Sequence, residues 1–405
     1  MKSSNKQIGK IASLLLALGI VASGCVAPSA PAAAPAADAA PAASSEPVKF
    51  FVPVELSGAG ATAGSNWRDG LLMAQEDINA AGGILGRQVE LEVVDTQTDP
   101  SVSKTVIAKG LESDPYAILG PLFSSSIIVN MVEAQRGEKP QIMGGEAANL
   151  TEQDNPFIFR TSFGQTTSMP KIATHMQSTG VKSVAVIYIN NDFGKGGHDN
   201  FLKAAEVAGM SIAVDISTEP QQADYAPEVL KAKESGADAI FAYLNEEESA
   251  KLLLEIRKQG YDKPIFGETV LLAQSVIDLA GEAANGVQGH VGLSVAAPVE
   301  SIQDFGKRFE AKYGHASDHN GIKGYISLHF VKEITERLGK FDSKALAEGL
   351  HCTTITTADE PGVLMDVIFD DKGNVDRESF LVEIKDGKQE ITQVLPKLGG
   401  SCGDK

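Results

Sequence analysis

The chain has 405 residues, with 53 acidic and 35 basic side chains and a formal net charge of −18 at pH 7. This acidity excludes nucleic acid and anionic lipid headgroups as preferred partners, because both would be repelled. A folded body of about 350 residues exceeds one ordinary hydrophobic core, so we expect two domains.

The N-terminal segment has the pattern of an export signal. Lysines precede an apolar run over residues 11–21, and small residues then lead into Cys25. The run is well short of the ~20 residues that a membrane-spanning helix needs. Its Ala-Ser-Gly-Cys ending resembles the lipobox of bacterial lipoproteins, in which the cysteine is lipidated and becomes the first residue. We predict a lipoprotein signal peptide over residues 1–24 and lipidation of Cys25; an ordinary secretory signal with a chance cysteine is the alternative.

Residues 25–47 predict a tether, because nearly all are alanine, proline or serine and show no apolar periodicity. The folded body then begins at about Val48. We expect an extracytoplasmic protein that its lipid holds to the cell membrane, in the periplasm or on the outer face of the cytoplasmic membrane.

Two further cysteines, Cys352 and Cys402, follow the lipobox. In an exported chain a pair of cysteines favours a disulfide over a metal site, which needs more ligands. Two free thiols are the alternative, since a cysteine in the tail need not lie near its partner.

Short apolar strands alternate with helical segments through most of the body, which predicts parallel sheets covered by helices on both faces. Two such series predict two similar α/β domains. The predicted strands cover residues 48–56, 89–94, 116–119, the vicinity of 142, 183–189, 211–216, 239–243 and 265–266. The predicted helices cover 67–81, 101–112, 124–135, 194–208, 225–235 and 246–258, with a helical region over 301–350 and strands again over 363–391.

Ligands of open α/β sheets bind beyond the carboxyl ends of the strands, so the loops after the strands are the candidate site. The distinctive ones are residues 57–66, 120–126, 144–148, 190–195 and 267–271.

The glycine-rich loop over residues 57–64 lies where a dinucleotide fingerprint would lie, but its spacing is G-x-G-x-x-x-G, one residue too long. No acidic residue follows in the expected register. We therefore expect no cofactor.

The serine run in residues 120–126 is a stronger candidate. Ser124 and Ser125 stand at a predicted helix start, where hydroxyls and unpaired backbone N–H groups favour an anion. An ordinary N-cap is the alternative. A nucleophilic serine is disfavoured because there is no G-x-S-x-G elbow and no histidine placed as its base, so we expect no enzyme.

Other polar and aromatic candidates have ordinary explanations. His315 and His319 are spaced for a metal only on a helix, and the surrounding residues predict a loop that enters a helix near Asn320. The acidic run over 246–248 fits a first helical turn, although Glu246 could face a cleft. Trp67, Phe193 and Tyr325 each allow packing or a pocket wall.

Several stretches together resemble a known family. They are 56–58, 74–87 (Ala-Gln-Glu-Asp-Ile-Asn-Ala-Ala-Gly-Gly-Ile-Leu-Gly-Arg), 95–100, 120–126, 159–161 and 191–194. They are similar to the periplasmic leucine/isoleucine/valine-binding proteins, the type I solute receptors of branched-chain amino acid ABC importers. The resemblance extends over about residues 48–388.

The resemblance implies two doubly wound α/β lobes joined by three crossovers, with the ligand cleft between them. On this chain it implies lobe 1 over residues 48–163 and 293–358, lobe 2 over 164–292 and 359–396, and a C-terminal tail over 397–405.

The candidate ligand-binding residues are Trp67, Phe123, Ser124, Ser125, Gly144, Glu146, Phe193, Glu268 and Tyr325. By resemblance, Ser124 matches the serine that holds the ligand carboxylate, and Glu268 matches the acid that pairs with the ligand ammonium. A buried charge pair of this kind is tolerable only when both partners are satisfied, and these two residues would supply it from opposite lobes.

The sequence also departs from the family at the predicted site. Ala63 stands where the family has a tyrosine, and a second tyrosine of the family aligns near Asn245 or Glu246. Phe123 and Glu146 replace residues that are smaller or neutral in the family. The pocket should therefore be roomier in one place, more aromatic in another and more acidic.

We expect a monomeric solute-binding lipoprotein that captures an amino acid by cleft closure and delivers it to an ABC permease. The amino acid is of the branched-chain type or a small, polar or ω-amino acid. An amide, a urea-type solute or an aromatic carboxylate is an alternative ligand, and a chemosensory receptor is an alternative role. An envelope hydrolase has the least support.

Overall fold

Two large β-sheets and one small sheet organise the chain in the computed structural model, which describes residues 46–399 and 402. The predicted signal peptide, Cys25 and nearly all of the tether lie outside these residues. The strands are β1 (Val48–Val54), β2 (Val89–Asp95), β3 (Ala117–Leu119), β4 (Gln141–Met143), β5 (Ile158–Arg160), β6 (Ser183–Ile189), β7 (Ser211–Thr218), β8 (Ala239–Tyr243), β9 (Ile265–Glu268), β10 (Val287–Val291), β11 (Thr354–Ile355), β12 (Val367–Phe369), β13 (Val375–Asp376), β14 (Ser379–Lys385) and β15 (Lys388–Leu395). The helices are α1 (Ala61–Ala80), α2 (Pro100–Gly110), α3 (Ser124–Arg136), α4 (Gln165–Ser178), α5 (Asp192–Val207), α6 (Ala226–Glu234), α7 (Glu246–Lys258), α8 (Gln274–Ala280), α9 (Glu300–Tyr313), α10 (His319–Leu338) and α11 (Ser343–Leu350).

The first sheet is entirely parallel, with the strand order β2-β1-β3-β4-β5. Its inner strands are apolar and nearly continuously buried, as expected when helices cover both faces.

The second sheet has the order β15-β14-β10-β9-β8-β6-β7. Strands β6 to β10 are parallel, and the hairpin of β14 and β15 adds an antiparallel edge next to β10. The third sheet consists of the short antiparallel strands β11, β12 and β13.

The chain passes between the two large sheets three times: after β5, after β10 and before β14. After the second passage, α10 returns to pack against α1 of the first half. This arrangement confirms the predicted α/β class, and the residue boundaries of the two lobes stay a prediction.

Local sequence explains where several helices begin. The Asn191 side chain accepts a hydrogen bond from the N–H of Gly194 at 2.9 Å and so caps α5. Asp318 caps α10 in the same way, accepting from the N–H of Asn320 at 2.8 Å. In α7, glutamates fill the first turn and Arg257 lies in the last, as the helix dipole favours.

The observed elements agree with the prediction where the pattern is local. The strands over 183–189 and 239–243 and the helix over 246–258 are confirmed to the residue. The strands and helices of the first series are confirmed within two residues, except that α1 begins six residues before the predicted start at Trp67.

The glycine-rich segment differs from the prediction. Helix α1 begins at Ala61, so Gly64 lies inside the helix and not in the loop. A Cβ on Gly64 would lie 1.8 Å from the backbone oxygen of Glu55, so only glycine permits this contact between the helix and the end of β1. Helix α4 was not predicted and contains Pro170 in its interior.

The structure joins Cys352 and Cys402 in a disulfide, with their Cα atoms 5.5 Å apart. The bond connects the segment after α11 to the C-terminal tail. Among the described residues there is no helix with the length and apolar character required to cross a membrane.

Candidate ligand-binding site

A cavity with an empty volume of about 440 Å³, partly open to solvent, lies at the carboxyl ends of the strands. From segments around the first sheet it is lined by Ala63, Leu122, Phe123, Ser124, Ser125, Gly144, Glu146, His319, Asn320 and Lys323. From segments around the second sheet it is lined by Asn191, Phe193, Asn245, Glu246 and Val270.

The serine run forms one end of this cavity. Helix α3 begins at Ser124, and the residue before it, Phe123, provides no side-chain cap. The first-turn N–H groups of a helix have no intrahelical partner and carry the positive end of the dipole. Ser124 and Ser125 therefore present an anion-binding surface to the cavity.

The buried Glu55 holds the loop that leads into this helix. Its two carboxylate oxygens accept hydrogen bonds from the N–H groups of Leu122 and Phe123, both at 3.1 Å. Burial raises the pKa of Glu55 to about 7. The carboxylate thus fixes the backbone immediately before Ser124.

Glu146 and Lys323 form a buried ion pair on the cavity wall, with Lys323 Nζ 3.0 Å from Glu146 Oε1. Lys323 also donates to the backbone oxygen of Gly144 at 3.4 Å, and the Ser162 hydroxyl donates to Glu146 at 3.4 Å. Burial raises the pKa of Glu146, and the charge of Lys323 opposes that rise. The opposite charges of Glu146 and Lys323 therefore compensate each other.

Arg160 at the end of β5 positions the loop that carries Glu146. Its guanidinium donates to the backbone oxygens of Gly145 and Ala147 at 2.7 and 2.6 Å. The side chain is fully buried, and burial lowers its pKa to about 10.

Glu246 is the first residue of α7 and reaches the cavity from the second half. Its Oε1 lies 3.5 Å from Asn320 Nδ2, at the limit of a hydrogen bond. Burial, together with the charge of the nearby Asp318, raises the pKa of Glu246 to about 7. This end of the cavity is acidic.

The two histidines in residues 315–319 lie in different environments. His319 is buried at the cavity, and burial holds its pKa well below the usual value, while its Nδ1 has no partner among the described residues. His315 lies outside the cavity lining, 3.6 Å from Asp69. The predicted loop enters the helix at His319, one residue before the expected position.

Aromatic rings form the apolar part of the wall. Phe193 stacks on Tyr243, with ring centroids 4.2 Å apart. The Gln165 side chain donates to the backbone oxygen of Phe193 at 2.7 Å and to the Tyr243 hydroxyl at 3.1 Å. Phe123 lines the cavity from the first half.

The structure brings most of the predicted site residues together at this cavity: Phe123, Ser124, Ser125, Gly144, Glu146 and Phe193. The other predicted ligand-binding residues, Trp67, Glu268 and Tyr325, do not line the cavity.

Glu268 is buried outside the cavity lining and already has partners. Its Oε1 lies 2.7 Å from His290 Nδ1, and its Oε2 accepts a hydrogen bond from the N–H of Thr269 at 2.6 Å. Glu268 therefore does not line the cavity in this structure, and the ammonium role that the resemblance implies for it stays a prediction.

Trp67 and Tyr325 pack in the core and do not line the cavity. The Trp67 indole is fully buried and donates to the backbone oxygen of Leu119 at 3.4 Å. The Tyr325 hydroxyl donates to Asp77 at 2.8 Å. For these two aromatic residues, the packing explanation fits the structure.

Sequence reasoning missed the contribution of α10. His319, Asn320 and Lys323 occupy its first turns and enter the cavity because α10 packs on α1. No local pattern marks them, since a lysine near a helix start is ordinary. Glu246 was noticed, but its position in the first turn has an equally good explanation in the helix dipole.

One group of carboxylates in the described residues lies close enough to hold a cation: Glu333, Glu336 and Glu360. Basic side chains already neutralise it, since Lys332 contacts two of these carboxylates and Arg337 the third. It is an ion-pair network.

Residues 47–389 match the protein family described as "Periplasmic binding protein". A relative from Pseudomonas aeruginosa, named leucine-, isoleucine-, valine-, threonine-, and alanine-binding protein, is 24% identical over 346 residues, which cover 84% of this chain and 90% of the relative.

Solved structures show the same fold. A leucine binding protein from Thermotoga maritima is 21% identical, with a TM-score of 0.78 over 86% of this chain and 99% of that one. A solute binding protein from R. palustris in complex with benzoate is 18% identical, with a TM-score of 0.80 over 88% of this chain and 98% of that one.

These matches confirm the resemblance to leucine/isoleucine/valine-binding proteins and the type I α/β fold that it implies. The chain therefore belongs to the periplasmic binding protein family.

Proposed function

We propose that this chain captures an amino acid in the cavity and delivers it to the permease of an ABC importer. The observation that carries the proposal is the polarity of the cavity: the start of α3 lies at one wall and Glu246 at another. A zwitterion needs both an anion-binding surface and a carboxylate.

The start of α3 suits the ligand carboxylate. The backbone N–H groups of Ser124 and Ser125 lie at the positive end of the helix dipole. Such a helix start commonly binds anions. The Ser124 hydroxyl itself accepts a hydrogen bond from the N–H of Ala147 at 3.2 Å, so its remaining proton is available to a ligand oxygen.

The charge balance of the cavity favours a ligand that also carries a positive group. Lys323 is neutralised by Glu146, which leaves Glu246 as the uncompensated charge in the lining. A ligand with only a carboxylate would meet this acid without a compensating cation. An amino acid meets it with an ammonium group.

An aromatic carboxylate is the second candidate. Phe123 and Phe193 provide rings at the wall, and a similar solute binding protein from Rhodopseudomonas palustris was solved in complex with 3,4-dihydroxy benzoic acid. Such a ligand lacks the cation that Glu246 favours. The same cavity would also serve an amide or urea-type solute or a chemosensory receptor.

We propose a lipid anchor at Cys25 and a tether over residues 25–47, which keep the receptor near its permease. Wild-type protein should incorporate labelled fatty acid, and replacing Cys25 with serine should abolish that labelling. Wild-type protein that takes up no fatty-acid label would contradict the anchor.

A thermal-shift screen of the chain without its export signal tests the ligand. The screen covers the protein amino acids, amides and aromatic acids. A ligand present at 100 times its Kd stabilises the native state by about 2.7 kcal/mol, which raises the melting temperature measurably. A shift with aromatic acids alone would favour the second candidate and contradict amino acid capture.

Ser124→Ala then tests the carboxylate site. Loss of a hydrogen bond to a charged group costs about 1.5–3 kcal/mol, so we expect affinity to fall at least about tenfold. The matched control is Ser101→Ala, which removes an exposed serine at the start of α2, outside the cavity. Equal affinities of the two variants would remove Ser124 from the site.

A further inference from the structure

We infer that Glu246, and not Glu268, binds the ligand's cationic group, so that the second half of the protein selects carboxylates that carry an ammonium. This inference rests on the proposed function and assigns its specificity to one side chain.

Glu146, the other acidic residue that lines the cavity, already has partners. The Glu146 carboxylate lies 3.0 Å from the Lys323 ammonium and accepts a further hydrogen bond from Ser162. A ligand ammonium at Glu146 would compete with Lys323 and leave that lysine buried without a charged partner. Glu146 is therefore a poor cation site.

Glu268 is engaged in the same sense and lies outside the cavity lining. Both of its carboxylate oxygens have partners within 2.7 Å, one on His290 and one on the backbone of Thr269. The side chain is 2% exposed. These contacts occupy part of its acceptor capacity and hold the carboxylate away from the cavity lining.

Glu246 has neither limitation. It lines the cavity, remains half-buried, and forms no ion pair within residues 46–399. Its contact across the cavity is the amide of Asn320, at 3.5 Å. The backbone N–H of Glu246 itself also donates to this carboxylate. A carboxylate with two neutral donors has acceptor capacity left for an ammonium group.

The groups around Glu246 supply no cation that is paired with its carboxylate. On its own helix, Glu247 is exposed and paired with Lys251, and Glu248 accepts from the N–H of Gln221. From α10 it faces Asp318, His319, Asn320 and Lys323, and Glu146 lies across the cavity. Lys323 is the cation of this set, and it is paired with Glu146.

The ionisation state of the Glu246 carboxyl depends on these same neighbours. Burial, followed by the charge of Asp318, raises the pKa of Glu246 to about 7, so near neutral pH the free protein holds this carboxyl partly protonated. An ammonium beside it favours the ionised form. Ligand binding should therefore release a proton and weaken as pH falls below about 7.

Isothermal titration calorimetry on the chain without its export signal tests this assignment. The probes are the twenty protein amino acids and 4-aminobutyrate, each compared with the acid that lacks its amino group. For Glu246→Gln we expect affinity for the bound amino acid to fall at least tenfold and its pH dependence between pH 6 and 8 to become weaker.

The matched control is Glu247→Gln, which makes the same change at the adjacent exposed position and should keep wild-type affinity. Glu268→Gln should lose less affinity than Glu246→Gln. Urea unfolding keeps the result interpretable: free Glu246→Gln should be at least as stable as wild type at pH 8, because it removes a buried charge.

The outcomes separate the two proposals. If amino acids bind but Glu246→Gln leaves affinity unchanged while Glu268→Gln abolishes it, the assignment to Glu246 is overturned and amino acid capture stands. If the deaminated acids bind as tightly as the amino acids, no cation site exists and the ligand class is wrong. If no amino acid binds wild-type protein, the proposed function itself fails.

Discussion

The ammonium of Lys323 lies 3.0 Å from the carboxylate of Glu146, with the two side chains 3% and 6% exposed. The pair joins α10 to the loop after β4, and both residues line the cavity. A buried ion pair adds little net stability, but removal of one partner leaves the other charge without compensation. The geometry therefore makes each residue depend on the other.

We predict that Lys323→Met lowers the free energy of unfolding by about 3–5 kcal/mol at pH 7, because Glu146 is left as a lone buried charge. The double variant Glu146→Gln with Lys323→Met should recover most of that loss. Urea denaturation measures both.

The matched control is Lys251→Met, which breaks a partly exposed pair with Glu247 and should cost no more than about 1 kcal/mol. If Lys323→Met lowers the free energy of unfolding no more than this control does, the stability of the fold does not depend on pairing the charge of Glu146.

We also predict opposite effects of alanine at two helical glycines. Gly64→Ala should destabilise the protein by about 3 kcal/mol or more, because its Cβ would lie 1.8 Å from the backbone oxygen of Glu55. Gly306→Ala should stabilise it by about 0.5–1 kcal/mol, since the new Cβ would lie 3.4 Å from Val295 and the helix gains rigidity. Thermal unfolding compares the two. Stabilisation by both would show that helix propensity prevails and that the close approach at Gly64 carries no cost.

Gly64 also shows where sequence reasoning reaches its limit. The alternation of strands and helices is a local property, so β8 and α7 were predicted to the residue. Whether a glycine stands in a loop or inside a helix depended here on a backbone oxygen at the end of another element. That information is tertiary and leaves no periodic signal.

The same limit applies to the site. Ser124 was predicted because a serine run after a strand has a local meaning. Lys323 was not, because its role depends on how α10 packs on α1. Glu268 was assigned by resemblance alone, and in the structure His290, from the neighbouring strand β10, occupies its carboxylate.

The disulfide between Cys352 and Cys402 closes a loop with a sequence separation of 50 residues. We predict that Cys402→Ser lowers the free energy of unfolding by about 4 kcal/mol, because the open chain gains entropy in the unfolded state. The measurement is urea unfolding of protein that lacks the export signal and Cys25. Removal of both cysteines should cost the same as removal of one. Reactive thiols in the unreduced, denatured wild type would show that the bond does not form.

Glu360 should control part of the acid sensitivity of the fold. Its carboxylate is bound by His329 Nδ1 at 3.0 Å and by Lys332. Although burial opposes the change, these partners lower its pKa from the ordinary 4.5 to about 2. A lowered carboxyl pKa contributes stability that is present above the unfolded value and is lost as pH falls toward the folded one. The stabilisation should therefore disappear between pH 4.5 and about 2.

We predict that Glu360→Gln is less stable than wild type at pH 6 and that the difference narrows as pH falls below 4.5. Urea unfolding at pH 6, 4 and 3 measures it. Glu112→Gln, at an exposed glutamate, is the matched control and should parallel wild type at all three values. If Glu360→Gln also runs parallel to wild type, the partners of Glu360 add no stability that depends on its charge, and acid unfolding must begin at other carboxylates.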